Sequence, residues 1–242
     1  MIRQAENLEM LRRYVKRDLF SVRICALARA YGFTYSFVSF YVQLSGDRVT
    51  ALLSDLEGDL TISALEDADR EELAAFVAVR AHRSVLTDCT FSLPGRVQNG
   101  SVMLRAAAAD CAPSGLGKDV PLHTPGLTEL FAFMEYDGQS FEAWYADLNH
   151  RIRHGCAQVF SIEENGQIVS AAVLAFVDGN TAVLTSVRTH PSARGRGFGS
   201  RLVAGICRAF GGQVYLMCEN SSIVPFYERL GFHKTENWRM CL

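Results

Sequence analysis

Hydrophobic and polar positions alternate along the first 90 residues with two different periods. Spacings of three and four residues indicate amphipathic helices, and alternation with a period of two indicates strands. In chain order the pattern predicts a helix at 6–18, a helix at 21–32 ending on Gly32 as its C-cap, a hairpin at 34–55 turning at Ser45-Gly46-Asp47, a strand at 60–65, a helix within 66–81 and a short strand at 84–88.

The second half repeats this order of elements about 125 residues later, which predicts a structural repeat. Its members are helices at 126–134 and 140–155, a hairpin at 157–177 turning at Asn165-Gly166, a strand at 180–189, a helix within 195–210 and a strand at 212–218. Between the copies, residues 110–126 read DCAPSGLGKDVPLHTPG. Their content of Pro, Gly and Ser predicts a linker.

Composition narrows the class of protein. The chain has 242 residues, a formal net charge of −2, 49% hydrophobic residues and 21% charged residues, values typical of a globular protein. No apolar run reaches the ~20 residues of a membrane span, and the N-terminus lacks a secretory pattern, so we expect no membrane association and a cytoplasmic location. The charge argues against a nucleic-acid partner. Seven scattered cysteines without a CxxC spacing predict reduced thiols, with no disulfide framework and no metal site.

Glycine and arginine alternate in HPSARGRGFGS, residues 190–200, between a predicted strand and a predicted helix. A helix N-terminus presents unpaired N–H groups and partial positive charge to an anion. Glycines allow the backbone to approach a bulky group closely, and arginines add forked donors suited to phosphate oxygens. The segment therefore predicts a phosphate or pyrophosphate site, although it is neither a Walker loop nor a GxGxxG turn.

Arg194-x-x-Gly197-x-Gly199 resembles the acetyl-CoA loop of the GNAT superfamily of N-acetyltransferases. Downstream, YLMCENSSIVPFYERLGF is similar to the closing pattern of that family, in which an Asn at a strand end and a Tyr seven residues later flank the cofactor. Asn220 and Tyr227 occupy those positions. The specific resemblance covers the second half of the chain.

The resemblance implies an α/β fold of two GNAT-like mixed copies packed together, each a twisted, mostly antiparallel sheet flanked by helices. We expect the division at 1–125 and 126–242. The first copy has SALEDADREELAAF in place of the loop, without glycine and rich in acids. We therefore expect this copy to be degenerate, to bind no CoA and to wall off the acceptor pocket, as in tandem bacterial-type acetyltransferases.

The resemblance also implies roles for individual residues toward acetyl-CoA. The free edge of the strand before the loop would pair with the pantetheine arm, the loop amides would bind the pyrophosphate, and Asn220 would contact the pantetheine. The cofactor-binding residues predicted in this way are Val187, Arg188, Thr189, Arg194, Gly195, Arg196, Gly197, Phe198, Gly199, Ser200 and Asn220.

Tyr227 is the predicted catalytic residue, because a phenol close to the leaving thiolate donates a hydrogen bond or a proton. The sequence does not identify a general base, since Thr185, Ser186 and Arg188 stand where many family members have a Glu. Weaker candidates for the base are Glu219, Glu135, Glu163 and His190. Cys218 is a weak candidate for a nucleophile, and a buried thiol is the default interpretation. Trp144 and Tyr145 either line the acceptor pocket or belong to the core.

The function implied by the resemblance is transfer of an acetyl group to an amine of a small molecule or peptide, by direct attack in a ternary complex. Two alternatives stay open, a CoA-binding or sensing protein without turnover, and acyl or aminoacyl transfer on the same fold. A homodimer is also open.

Overall fold

The structure is a computed structural model that describes residues 1–88, 95–107, 121–136 and 138–242. The chain forms two compact units. Unit 1 contains Met1–Val102, Met217–Ser221 and Lys234–Leu242, and unit 2 contains Met103–Leu216 and Ser222–His233.

The helices and strands alternate along the chain. In order they are β1 (Ile2–Gln4), α1 (Leu8–Arg12), α2 (Leu19–Tyr31), β2 (Val38–Ser45), β3 (Arg48–Leu56), β4 (Asp59–Ala64), α3 (Arg70–Ala78), β5 (Ser84–Asp88), β6 (Val97–Arg105), α4 (Leu127–Met134), α5 (Phe141–Arg153), β7 (Gln158–Glu164), β8 (Gln167–Asp178), β9 (Thr181–Thr189), α6 (Phe198–Phe210), β10 (Gln213–Cys218), α7 (Val224–Glu228) and β11 (His233–Cys241).

Unit 1 is a mostly antiparallel sheet with helices. Strands β1 to β4 pair antiparallel with their neighbours, β4 pairs parallel with β5, and β5 pairs antiparallel with β11. Helix α2 packs against β2, β3 and β4. Residues of β3 and β4 such as Leu53 and Ile62 form a buried cluster with Leu73 and Val77 of α3. The β2–β3 turn lies at Gly46-Asp47, as predicted, because Ser45 pairs with Arg48.

Unit 2 has the same mixture of pairings. Strands β7, β8 and β9 are antiparallel, and β9 pairs parallel with β10. Helix α6 packs against β7, β8 and β9, and α4 contacts α5 and β8. Asn165 and Gly166 both have positive φ, at 55° and 74°. This conformation is typical of the type I′ hairpin turn that the Asn-Gly pair predicts.

Several predictions of elements are confirmed and others are wrong. Gly32 is the C-cap of α2, with φ 69°. The first helix is shorter than predicted and ends at Arg12, because the Asp18 and Ser21 side chains form a capping box that begins α2. Strands β1, β6 and β11 were not predicted. Asn99-Gly100 inside β6 is typical of a turn, and β11 lacks a clear alternation.

The predicted linker at 110–126 lies mostly outside the described residues, as do Cys89 and Cys111. The other five cysteines form no disulfide among the described residues. The predicted domain division at 125/126 stays a prediction; the two units themselves do not follow chain order, because C-terminal segments belong to unit 1.

Candidate functional site

Strands β9 and β10 pair only at their beginnings. The three parallel pairs are Thr181 with Gln213, Ala182 with Val214 and Val183 with Tyr215. Strand β9 continues for six residues beyond the last pair, to Thr189. Backbone groups on that edge are therefore available to pair with an extended ligand. The predicted residues Val187, Arg188 and Thr189 lie on this stretch.

A bulge distorts β9 within the same stretch. Ser186 has φ 53°, and the pairing with β8 shifts register between Ala171 and Val173. Positive φ is uncommon for residues other than glycine, and such strain is concentrated at functional sites. Sequence reasoning missed this feature, because serine carries no signal for a left-handed conformation.

The glycine loop leads into α6 without a side-chain cap. Gly195 and Gly197 have φ of 75° and 79°, and a Cβ at either would meet no atom within 4 Å. Gly197 is the N-cap of α6, which has no acidic residue in its first turn. Within the described part of the chain, the amides of residues 195–200 donate no hydrogen bond. The loop and the start of α6 thus keep donor capacity for an anion.

Gly199 has a different role, since it lies close to other elements. A Cβ there would stand 3.1 Å from Thr189 Oγ1 and 3.7 Å from Phe226 Cζ. Thr189 Oγ1 itself lies 2.9 Å from Ser170 Oγ of β8. The absence of a side chain at Gly199 therefore allows the start of α6 to pack closely on the end of β9 and on α7.

The loop arginines contact the protein itself. Arg194 Nε donates to the Thr189 carbonyl at 3.3 Å. Arg196 donates two hydrogen bonds to Glu164 at 2.9 and 2.5 Å, and these lower the pKa of the Glu164 carboxyl. Both arginines are exposed. Arg196 and Arg201 also lie over the Phe198 ring, 4.8 and 4.6 Å from its centroid. Sequence reasoning did not foresee the Glu164 contact, which pairs residues 32 positions apart.

Tyr227 is buried, with 8% of its surface exposed. Its ring packs edge-on against Phe226 and Phe232, with centroids 4.9 and 5.7 Å away. Because Phe226 lies near Gly199, α7 and the start of α6 are neighbours. The structure therefore brings the predicted catalytic element beside the predicted phosphate loop within unit 2.

Asn220, Glu219 and Cys218 stand at the end of β10, in segments that belong to unit 1. Asn220 and Glu219 are exposed. Glu219 lines a cavity of about 450 Å³ together with Asn99, Gly100, Ser101, Cys218, Ser221, Asn237 and Arg239. Burial raises the pKa of Cys218 to about 11, so its thiolate is scarce at neutral pH and it suits a buried thiol better than a nucleophile.

The remaining candidate bases have partners. Glu135, in a left-handed conformation after α4, forms an ion pair with Arg188, which also donates to the Met134 carbonyl at 3.1 Å. Glu163 accepts from Ser161 Oγ at 3.3 Å, and His190 Nδ1 lies 2.7 Å from Ser192 Oγ.

The two aromatic residues of α5 differ in exposure. Trp144 is buried against Phe131 and Tyr136, whereas Tyr145 is 40% exposed. Trp144 is therefore part of the packing between α4 and α5, and Tyr145 is accessible to solvent.

The residues of the loop fit a pyrophosphate by their own chemistry, since an uncapped helix N-terminus, open amides and two left-handed glycines leave both charge and space for it. No group of side chains among the described residues has the composition of a metal site. None of the described helices is long and apolar enough to span a bilayer.

Residues 124–232 match the model of the acetyltransferase (GNAT) family. No curated protein matches the chain. The chain is similar in fold to three solved structures that it covers almost completely.

One of these structures is a tandem GNAT protein from the clavulanic acid biosynthesis pathway, at TM-score 0.61 and 14% identity, over 99% of this chain and 97% of that one. A second is a GNAT-family acetyltransferase from Colwellia psychrerythraea, at 0.58 and 13%, over 100% and 98%. A third is a Drosophila protein, at 0.64 and 12%, over 100% and 98%. At these identities the likeness shows the fold, which is the mixed α/β fold of GNAT proteins, including a tandem form.

Proposed function

We propose that the protein is an acetyl-CoA-dependent N-acetyltransferase that acts on an amine of a small molecule or peptide. The observation that carries the proposal is the glycine-rich start of α6, which has no side-chain cap, next to the unpaired edge of β9. A pyrophosphate and an extended amide-bearing arm are the two groups that such a surface recognises. The match of residues 124–232 to the acetyltransferase family model supports the same chemistry.

The proposed roles follow from position. The amides of residues 195–200 hold the phosphate oxygens, and Gly195 and Gly197 keep the approach clear of side chains. Arg194 and Arg196 add positive charge at the rim, where both are exposed. Residues 187–189 offer backbone groups along β9.

Acetyl-CoA, when bound, supplies an activated thioester. Acetylation of an amine by a thioester requires loss of a proton from the amine and return of one to the leaving sulfur. A thiol has an ordinary pKa near 8.5, so a nearby hydroxyl donor eases its departure. Tyr227 is proposed as that donor, because its helix α7 lies beside the start of α6.

A second function, CoA binding without turnover, is favoured by one observation. The bulged part of β9 carries Thr185 and Ser186, and Glu135 beside it is bound to Arg188. No carboxylate of that stretch is therefore poised to take a proton from the acceptor.

Release of thiol from acetyl-CoA, measured against a panel of amines and peptides, tests the proposal. We expect release that depends on the amine and on its concentration, with acetylated amine appearing in equal amount. Saturable acetyl-CoA binding combined with no amine-dependent release from any of the panel would favour the CoA-binding alternative. Absence of acetyl-CoA binding would contradict both.

A further inference from the structure

Arg201 of α6 reaches back to the loop that precedes its own helix. It lies one helical turn after Gly197, the N-cap of α6. Side chains of an α-helix point toward its N-terminus, so a long side chain at this position extends over the start of the helix. The guanidinium donates from Nη2 to the Arg196 carbonyl at 2.9 Å and from Nε to the Gly197 carbonyl at 3.3 Å.

The two carbonyls that accept from Arg201 belong to consecutive peptide groups, one before Gly197 and one after it. No peptide bond among the described residues is cis. A trans peptide group directs its carbonyl and its N–H in opposite directions. Because both carbonyls face the guanidinium, the amides of Gly197 and Phe198 face away from it. These two amides are among those that we propose to hold the phosphate oxygens.

Glycine makes the direction of these peptide groups easy to change. Gly197 has φ 79°, and Gly195, two residues earlier, has φ 75°. Glycine adopts positive and negative φ about equally well, so the peptide groups beside it rotate at little cost. The glycines that clear the approach of a phosphate therefore also leave the amides poorly oriented. Hydrogen bonds to the carbonyls on both sides of Gly197 restrict this rotation.

The surroundings of Arg201 direct it toward the protein rather than toward a ligand. Its guanidinium carbon lies 4.6 Å from the centroid of the buried Phe198 ring. The hydrogen bonds from Arg196 are the main cause that lowers the pKa of the Glu164 carboxyl, and the positive charge of Arg201 lowers it further. Part of the charge of Arg201 is thus compensated by a carboxylate of the protein.

We propose that Arg201 is a positioning residue, which fixes the amides of Gly197 and Phe198 toward the pyrophosphate of acetyl-CoA before the cofactor binds. This inference rests on the proposed function, because it takes acetyl-CoA as the ligand of the loop. A guanidinium holds two carbonyls along one planar edge, whereas the ammonium of a lysine is a point charge on a flexible chain. A loop that is ordered in advance binds more tightly, because binding does not have to order it.

Calorimetric titration of the full chain with acetyl-CoA separates positioning from charge. Arg201→Lys keeps the charge and removes the planar edge, and we expect it to weaken affinity about 10-fold, because binding must then order the loop. Arg201→Met, which also removes the charge, should lose about as much. Arg208→Lys is the matched control, since Arg208 is exposed in the last turn of the same helix, and it should bind as wild type.

Nuclear magnetic resonance of the free protein tests the orientation without any ligand. In wild type the backbone ¹⁵N order parameters of Gly197 and Phe198 should be those of a rigid backbone. They should fall in Arg201→Lys and stay unchanged in Arg208→Lys. A residue that only stabilised the fold would lower the melting temperature without loosening these two amides selectively.

The outcomes separate this inference from the proposed function. Wild type that binds acetyl-CoA while Arg201→Lys binds it equally well would overturn the positioning role and leave the proposed function intact. Rigid amides at Gly197 and Phe198 in Arg201→Lys would overturn it as well. Absence of acetyl-CoA binding by wild type would contradict the proposed function and the role of Arg201 together. Circular dichroism establishes that each variant is folded.

Discussion

The two units open a parallel strand pair in the same way but begin the following helix with opposite chemistry. In unit 1 the pairing of β4 with β5 ends after three residue pairs, and in unit 2 the pairing of β9 with β10 also ends after three. A helix follows the first strand of each pair: α3 after β4 and α6 after β9. Both units therefore share a parallel strand pair that ends early and is followed by a helix.

The difference lies in the helix start. Helix α6 begins at a left-handed glycine without a side-chain cap and without first-turn acids. Helix α3 begins at Asp69, which caps it, and continues with Glu71 and Glu72. The start of α6 leaves amides and positive potential for an anion, whereas at the start of α3 Asp69 caps the Glu72 amide and the acidic side chains oppose an anion. A few residues thus determine whether the same opening suits a phosphate.

The largest expected effect comes from blocking the approach of phosphate groups to the start of α6 in unit 2. Gly197→Val adds a side chain at the uncapped start of α6. We expect acetyl-CoA affinity to fall about 100-fold or more, because at least two charged amide contacts would be lost at roughly 1.5–3 kcal/mol each. Wild type should bind one acetyl-CoA per chain in calorimetry, since α3 offers no equivalent start.

Gly179→Val is the control, because Gly179 also has positive φ, at 59°, and a Cβ added there would meet no atom within 4 Å. It imposes similar backbone strain away from the loop and should leave affinity unchanged. Two equivalent sites in wild type, or full affinity in a folded Gly197→Val variant, would contradict the contrast between the units.

The second largest expected effect is on the rate of acetyl transfer rather than on acetyl-CoA affinity. Tyr227→Phe removes the hydroxyl and keeps the ring that packs between Phe226 and Phe232. We expect the single-turnover rate of acetyl transfer to fall on the order of 10²-fold, as for loss of a general acid, with acetyl-CoA affinity preserved. Rapid-quench measurement avoids masking by slow product release. A single-turnover rate equal to wild type would make Tyr227 a packing residue.

The difference between the starts of α3 and α6 could be predicted in part from the sequence. Local signals were sufficient for the hairpin turns, the glycine loop and the acidic segment before α3, because each depends on neighbouring residues. The order of elements in the two halves follows from the same local patterns. The resemblance to the family added the roles of Asn220 and Tyr227, which remain predictions.

Contacts between residues far apart in the chain could not be predicted from the sequence. Glu164 meets Arg196, and Glu236 meets Lys16, across 32 and 220 positions of the chain. Strand β11 pairs with β5, far earlier in the sequence. Such partners are determined by the packing of the whole sheet, for which a single sequence offers no periodicity. The left-handed Ser186 in β9 likewise follows from register with β8.

The smallest expected effect is on the stability of unit 1. Burial raises the folded-state pKa of Glu236 above its value in the unfolded chain. The unfolded state then binds fewer protons between these two pKa values, so ionisation of Glu236 opposes folding at neutral pH and the opposition disappears as pH falls below the ordinary value. Glu236→Gln should therefore raise the melting temperature at neutral pH. Asp18 lies 2.8 Å from Lys16 Nζ and is unchanged in that variant, so the charge of Lys16 stays compensated. The gain should shrink when the melts are repeated near pH 4, where wild type is itself protonated at this site. A lower melting temperature at neutral pH would instead show that the ion pair between Glu236 and Lys16 stabilises unit 1.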